Sequence, residues 1–178
     1  MQCFEEGIVK RRLILAGALC AVPVLLGACA PAPMKARHTL KAGESTLADV
    51  QKALGKADAI WTRPDGHQIH SYPRGPEGPD TWMLEIGPDG RYLGMTNALS
   101  AKNLARVQPG MSREELLRML GRPGAEQALR RAGEVVLTWR VRTADGANTT
   151  EMFNVHLGPD GRVRRTSRSA DPERIMGG

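Results

Sequence analysis

The segment VQPGMSREELLRMLGRP, residues 107–123, writes out the start, apolar face and stop of one short helix. Ser112 followed by Glu115 is a capping box, Met111 and Leu116 occupy the two positions of a hydrophobic staple, and Gly121 then Pro123 end the helix. A helix of about nine residues is marginal alone in water, so Leu116, Leu117 and Leu120 require an apolar surface supplied by the rest of the chain. A second, weaker copy lies upstream at residues 40–55, LKAGESTLADVQKALG, with Leu47, Val50 and Leu54 as its apolar stripe. Gly43 there answers Gly110, Leu40 answers Val107, and Leu54-Gly55 answers Leu120-Gly121 after a change of one residue in length. Two further landmarks repeat in the same order. Tyr72 and Trp139 sit inside strand-like runs, and Gly87-Pro88-Asp89-Gly90-Arg91 is identical to Gly158-Pro159-Asp160-Gly161-Arg162. A GPDG turn alone is commonplace, but ordered landmarks at similar spacing are how an internal duplication declares itself.

The pattern G-M-S-x-x-E-L-L-x-x-L-G-x-P, then an aromatic strand, then an apolar strand ending in D-G-x-V, resembles the BamE (SmpA/OmlA) family of small outer-membrane lipoproteins. Taken twice, it is similar to the tandem arrangement of the beta-lactamase inhibitor protein. The resemblance covers residues 38–168, and the first copy departs most: its helix reads T-L-A-D-V, and Ala57 stands where Pro123 would. What it implies is an α+β fold of two tandem units, each with short helices on one face of a three- to four-stranded antiparallel sheet.

The N-terminus carries an address. Lys10, Arg11 and Arg12 precede an apolar run over residues 13–28 that contains Pro23, the layout of a secretory signal and too short for a membrane span, which wants about twenty residues. Leu26-Gly27-Ala28-Cys29 resembles the bacterial lipobox, in which the cysteine is acylated and becomes the new N-terminus. Cys3 and Cys20 leave with the leader, so no thiol or disulfide chemistry is expected of the mature chain. Several acyl chains would hold it firmly, at about 0.8 kcal/mol per buried methylene. Ala30 after the cysteine, in place of the aspartate associated with inner-membrane retention, favours the periplasmic face of the outer membrane. Removing the leader leaves 22 of the 25 basic and 17 of the 19 acidic side chains, a net charge of +5. That balance favours anionic lipid, lipopolysaccharide, cell-wall glycan or acidic protein over nucleic acid, for which no motif is present. The expected organisation is residues 1–28 signal, 29–37 lipidated tether, 38–96 first unit, 97–168 second unit and 169–178 a loose tail.

Strands are expected over residues 59–62, 67–74, 80–86, 91–95, 127–131, 134–142, 149–157 and 162–167, with an extra helix over 100–107. Alternation puts Trp82, Leu84 and Ile86, and likewise Phe153, Val155 and Leu157, on the faces under the helices, with Val135, Leu137, Trp139 and Val141 completing the second core. The equivalent strand of the first copy carries Gln68, His70, Tyr72 and Arg74, which makes His70 and Tyr72 candidates for a polar binding face. His67 and His70, three apart in a strand, point to opposite faces and make no metal site, and His38 and His156 stand isolated. Ser112 is explained by its cap, and no nucleophile elbow, zinc helix or phosphate loop is present, so neither catalysis nor a cofactor is expected. Arg162, Arg164 and Arg168 are expected on one face and Arg165 on the other, as a cationic strip for an anionic partner or as charges that blunt a sheet edge. The functional expectation is a lipid-anchored periplasmic protein-binding module, an accessory in outer-membrane protein assembly or envelope integrity. The alternatives are an envelope binder of lipopolysaccharide, anionic lipid or peptidoglycan, and an inhibitor of a periplasmic enzyme.

Overall fold

The computed structural model describes residues 39–74, 78–143 and 149–172. The signal, Cys29 and the tether lie outside the described residues. In chain order the elements are α1 (Leu47–Leu54), β1 (Ala59–Thr62), β2 (Gln68–Pro73), β3 (Thr81–Ile86), β4 (Tyr92–Asn97), α2 (Ala101–Leu104), α3 (Arg113–Leu120), β5 (Ala125–Leu129), β6 (Glu134–Arg142), β7 (Thr150–Leu157) and β8 (Val163–Ala170). They form two four-stranded sheets in the orders β1-β2-β3-β4 and β5-β6-β7-β8, every pairing antiparallel. This is the α+β fold of two tandem units that the duplicated segments imply.

Both long helices begin on a complete capping box. In α3 the Glu115 amide donates to Ser112 Oγ at 3.2 Å, while the Ser112 amide donates to Glu115 Oε2 at 2.7 Å. In α1 Thr46 and Asp49 do the same at 3.3 and 2.8 Å. The first copy is therefore closer to the second than its letters suggest, because Asp at the third helical position substitutes for Glu. Each helix has eight residues, so the one-residue length change falls between the leading glycine and the cap.

Each apolar stripe lies on its own sheet. Val50 and Leu54 of α1 pack with Tyr72, Trp82, Leu84, Ile86 and Tyr92, and Leu116 and Leu120 of α3 pack with Leu137, Trp139, Phe153, Val155 and Leu157. The connection between the units belongs to the second, since Leu99, Leu104 and Val107 join its core. Several boundaries shift from the sequence expectation: β4 runs on to Asn97 and β8 to Ala170, two and three residues past their expected ends. The extra helix shortens to Ala101–Leu104, and β5 ends at Leu129 because Arg130 and Arg131 enter a turn closed by Gly133 at φ 62°.

Leu120 is wholly buried in the second core, so Leu120→Ala is expected to cost about 2–5 kcal/mol. Ser112→Ala removes one cap and should cost about 1 kcal/mol. Urea unfolding of the two variants checks the order, and the reverse ranking would mean that α3 does not present this face to the core.

Candidate functional site: the seam between the two units

The repeated pentapeptide is a structural fastener. Gly87 and Gly158 amides donate to the carbonyls of Arg91 and Arg162, each at 2.8 Å, and the aspartate Oδ1 of each turn accepts from the arginine amide two residues on at 3.1 Å. The strand that leaves the turn then pairs with the entry to the helix. Tyr92 donates to the Ser45 carbonyl and accepts from the Gly43 amide, as Val163 does with Met111 and Gly110, all at 2.8 Å. Above this bridge Arg91 Nη1 donates to the carbonyls of Gly43 and Glu44 at 3.3 and 3.0 Å, and Arg162 Nη1 to Gly110 at 2.8 Å. Arg162 thus ties the turn to the helix entry, a role its twin Arg91 repeats.

The remaining arginines do not assemble the expected strip. His156 pairs with Arg165 and Leu157 with Val163, so Arg164 is the extra residue of a bulge, which breaks the alternation assumed from sequence. The first sheet carries the same bulge at Leu93. Arg168 lies 5.5 Å from the centroid of the Phe153 ring and pairs with Glu151. Arg165 donates to Glu134 Oε2 at 3.0 Å on the opposite face. Arg162, Arg164 and Arg168 are therefore separate features of one edge.

His70 and Tyr72 are also placed differently from the expectation of a binding face. They oppose Leu84 and Trp82 across β2 and β3 and lie in the core beneath α1, 1% and 5% exposed. The Tyr72 hydroxyl donates to the carbonyl of Gly55 at 3.3 Å, as the Trp139 indole donates to that of Gly121 at 3.3 Å. The aromatic landmark of each copy thus tethers the end of its helix. His70 Nε2 contacts Gln68 Oε1 at 2.9 Å, and burial pushes its imidazole below the usual value.

The outward face of the second sheet is locked by side-chain hydrogen bonds that run across strands. His156, expected to be isolated, sits with Nδ1 3.0 Å from Glu134 Oε2 and Nε2 3.0 Å from Ser167 Oγ, with Arg165 Nη1 3.2 Å from the same Nε2. This carboxylate–imidazole–hydroxyl row has the spacing of a nucleophilic triad. The Arg165 guanidinium contacts the same imidazole nitrogen that a serine nucleophile would need. The hydrogen bond from His156, and secondarily the Arg165 charge, holds the Glu134 carboxyl below its usual range. A second row runs Thr138–Asn154–Ser169 at 2.9 and 3.1 Å, and a third joins Arg140 and Thr150 to the buried Asp171 at 2.8 and 2.5 Å.

The back face of the first sheet is partly covered by the second unit. A Cβ placed on Gly121, at the C-terminal end of α3, would lie 2.7 Å from Thr81 Cγ2, 3.2 Å from Ser71 Oγ and 3.3 Å from Met83 Cε. Ser71, Thr81 and Met83 are accordingly buried. The almost wholly buried Asp80 carboxylate fastens the seam, accepting from Arg142 of β6 at 2.9 Å and from Asn97 at 2.8 Å. The Asp80 partnership raises the already high Arg142 pKa.

Two open grooves flank this contact. One, of about 870 Å³, has Trp61, Pro73, Leu117 and Pro123 in its lining and the exposed pairs Arg113–Glu126 and Arg122–Asp58 on its rim. The other, of about 990 Å³, runs between the back of the first sheet and the α2–α3 hairpin and has Ile69, Met83, Met111 and Met119 in its lining. Among the described residues no three His, Cys, Asp or Glu side chains gather as a metal-ion set. Nor is any described helix long and apolar enough to cross a membrane.

No family model matches this chain, and no curated protein sequence does. Among solved structures, a candidate beta-lactamase inhibitor protein from Streptococcus mutans is similar over 76% of this chain and 94% of that one, with TM-score 0.32 and 11% identity. A DUF4309 family protein (YjgB) from Bacillus subtilis is similar over 74% and 82%, with TM-score 0.28 and 15% identity. Likeness at this level assigns no activity or partner.

Gly55 and Gly121 end their helices at the same φ of 79°, a conformation that costs any other residue about 1–3 kcal/mol. Only Gly121 has a neighbouring sheet within 4 Å of a Cβ. Gly121→Ala should therefore lower the unfolding midpoint well beyond Gly55→Ala, and equal shifts would contradict the packing at the seam. A second outcome concerns acid. Because the folded His70 imidazole titrates below its unfolded value of about 6.5, the unfolded chain takes the proton first, and stability should fall as pH drops below about 6.5. His70→Gln should remove that component from urea midpoints measured across the range. An unchanged slope would place the acid sensitivity elsewhere.

Proposed function

We propose that this chain is a lipid-anchored, non-catalytic module of the bacterial envelope that binds a protein partner as an accessory in outer-membrane protein assembly or envelope integrity. The observation that carries the reading is the pair of broad grooves at the seam, each open to solvent, with apolar side chains in its lining and charged groups on its rim. An apolar centre within a polar border is the anatomy of a protein-recognition surface, whereas small-molecule sites enclose most of their ligand. The leader, the lipobox ending in Cys29 and the resemblance to BamE-type lipoproteins supply the address. The net charge of +5 on the mature chain suits a partner of opposite sign.

The test combines anchoring with capture. The wild-type protein should sediment with outer membranes, carry acyl chains on Cys29 by mass spectrometry, and crosslink in intact cells to components of the barrel-assembly machinery. Cys29→Ser should accumulate as an uncleaved or soluble precursor. An unmodified Cys29 at the mature N-terminus, or crosslinks to glycan and lipid alone, would overturn the proposal.

A further inference from the structure

The groove lined by methionines differs from its counterpart across the seam in both floor and charge. Met83 projects from the back of β3, Met119 from α3, and Met111 precedes the cap of α3, so three thioethers from separate elements line this groove, while Met95, paired with Leu84, packs under α1. Unbranched, polarisable thioethers adapt to irregular apolar partners without fixing one shape. Such a surface suits a variable helical ligand better than a rigid small molecule.

The rim adds a sign. Arg63 is paired with Glu85 at 2.8 Å and Arg118 with Glu114 at 2.6 Å, while Glu115 is spent on the capping box. Lys102 and Arg106, on α2 and the turn after it, have no carboxylate partner among the described residues, and the Arg106 guanidinium reaches only Asn103 Oδ1 at 3.5 Å. Two unneutralised cations therefore stand along one wall. Strand addition at the bordering edge strand is disfavoured, because β4 is already closed at both ends. Gly43 and Ser45 occupy the outward groups of Tyr92 at 2.8 Å, and Asn103 donates to the Asn97 carbonyl at 3.4 Å.

We propose that this methionine-lined groove docks an acidic amphipathic helix of a protein partner, its apolar stripe on the methionines and its carboxylates facing Lys102 and Arg106. The assignment deepens the protein-binding reading given above and rests on it. The cations set the polarity of recognition and the methionines supply the adaptable apolar contact, the division of labour of helix-in-groove complexes.

The test uses the full mature chain labelled with 13C at the methionine methyls. The probe is a synthetic amphipathic helix of about twelve residues, ~18 Å long, bearing glutamates beside an apolar stripe. Its controls are a lysine-bearing twin and a scramble of equal charge. The acidic helix should shift the methyl resonances of Met83, Met111 and Met119 and leave unmoved Met95, which packs under α1, and Met152, on the far face of the second sheet. The scramble and the basic twin should shift none. Lys102→Glu with Arg106→Glu, both exposed positions, should leave the unfolding midpoint unchanged, lower affinity for the acidic helix about tenfold and transfer preference to the basic twin. No methyl shift, shifts indifferent to the charge reversal, or shifts produced only by self-association would each overturn the proposal. Crosslinking to an envelope partner alongside silent methyls would sink the groove assignment alone and leave the protein-binding reading standing.

Discussion

The structure depends on one backbone bridge made twice: the residue after each GPDGR turn pairs with the loop that enters each helix. A helix of eight residues carries too little internal hydrogen bonding to persist alone, and its direction across a sheet is not set by an apolar stripe. The bridge from Tyr92 to Gly43 and Ser45, and from Val163 to Gly110 and Met111, fixes the start of the helix to the last strand of the sheet it covers. The Tyr72 hydroxyl and the Trp139 indole then hold the helix ends through the carbonyls of Gly55 and Gly121. With both ends held, Val50 and Leu54, or Leu116 and Leu120, have no choice of surface.

Identical scaffolds allow different exteriors. The back of the first sheet is partly covered at the seam, where Gly121 approaches Thr81, Ser71 and Met83 more closely than a side chain would permit. The equivalent glycine of the first unit, Gly55, meets nothing within 4 Å. Asymmetry therefore enters through what each copy presents outward, and also through the cores, since the first buries His70 and the second takes in Leu99, Leu104 and Val107. The second sheet keeps its outward face, where Glu134, His156, Ser167 and Arg165 are joined by hydrogen bonds, while the methionines and unneutralised cations collect beside the seam.

Periodic features were legible in the sequence because local physics decides them. The capping box at Ser112 and Glu115, the stripe through Leu116 and Leu120, and the inward set Leu137, Trp139 and Val141 follow from spacing alone. Features decided by register were not. One bulge residue at Arg164 reverses the alternation on which the arginine strip was drawn, and no letter marks it. His70 and Tyr72 look polar enough to face water, yet their cross-strand partners Leu84 and Trp82 carry them under α1. The network around His156 draws on three strands, and the groove methionines are scattered over residues 83–119, so neither leaves a short-range signature. Gly55 and Gly121 are alike in sequence and in φ, and only the tandem packing separates them.

Native-state hydrogen exchange at the amides of Gly43, Tyr92, Gly110 and Val163 measures the duplicated bridge directly, since each of these N–H groups donates across it. The account predicts that all four exchange in the most protected class, together with the central strands β3 and β7, and open only with the unit to which they belong. Exchange of Gly43 and Gly110 at the rate of exposed loop amides, with β3 and β7 still protected, would contradict it.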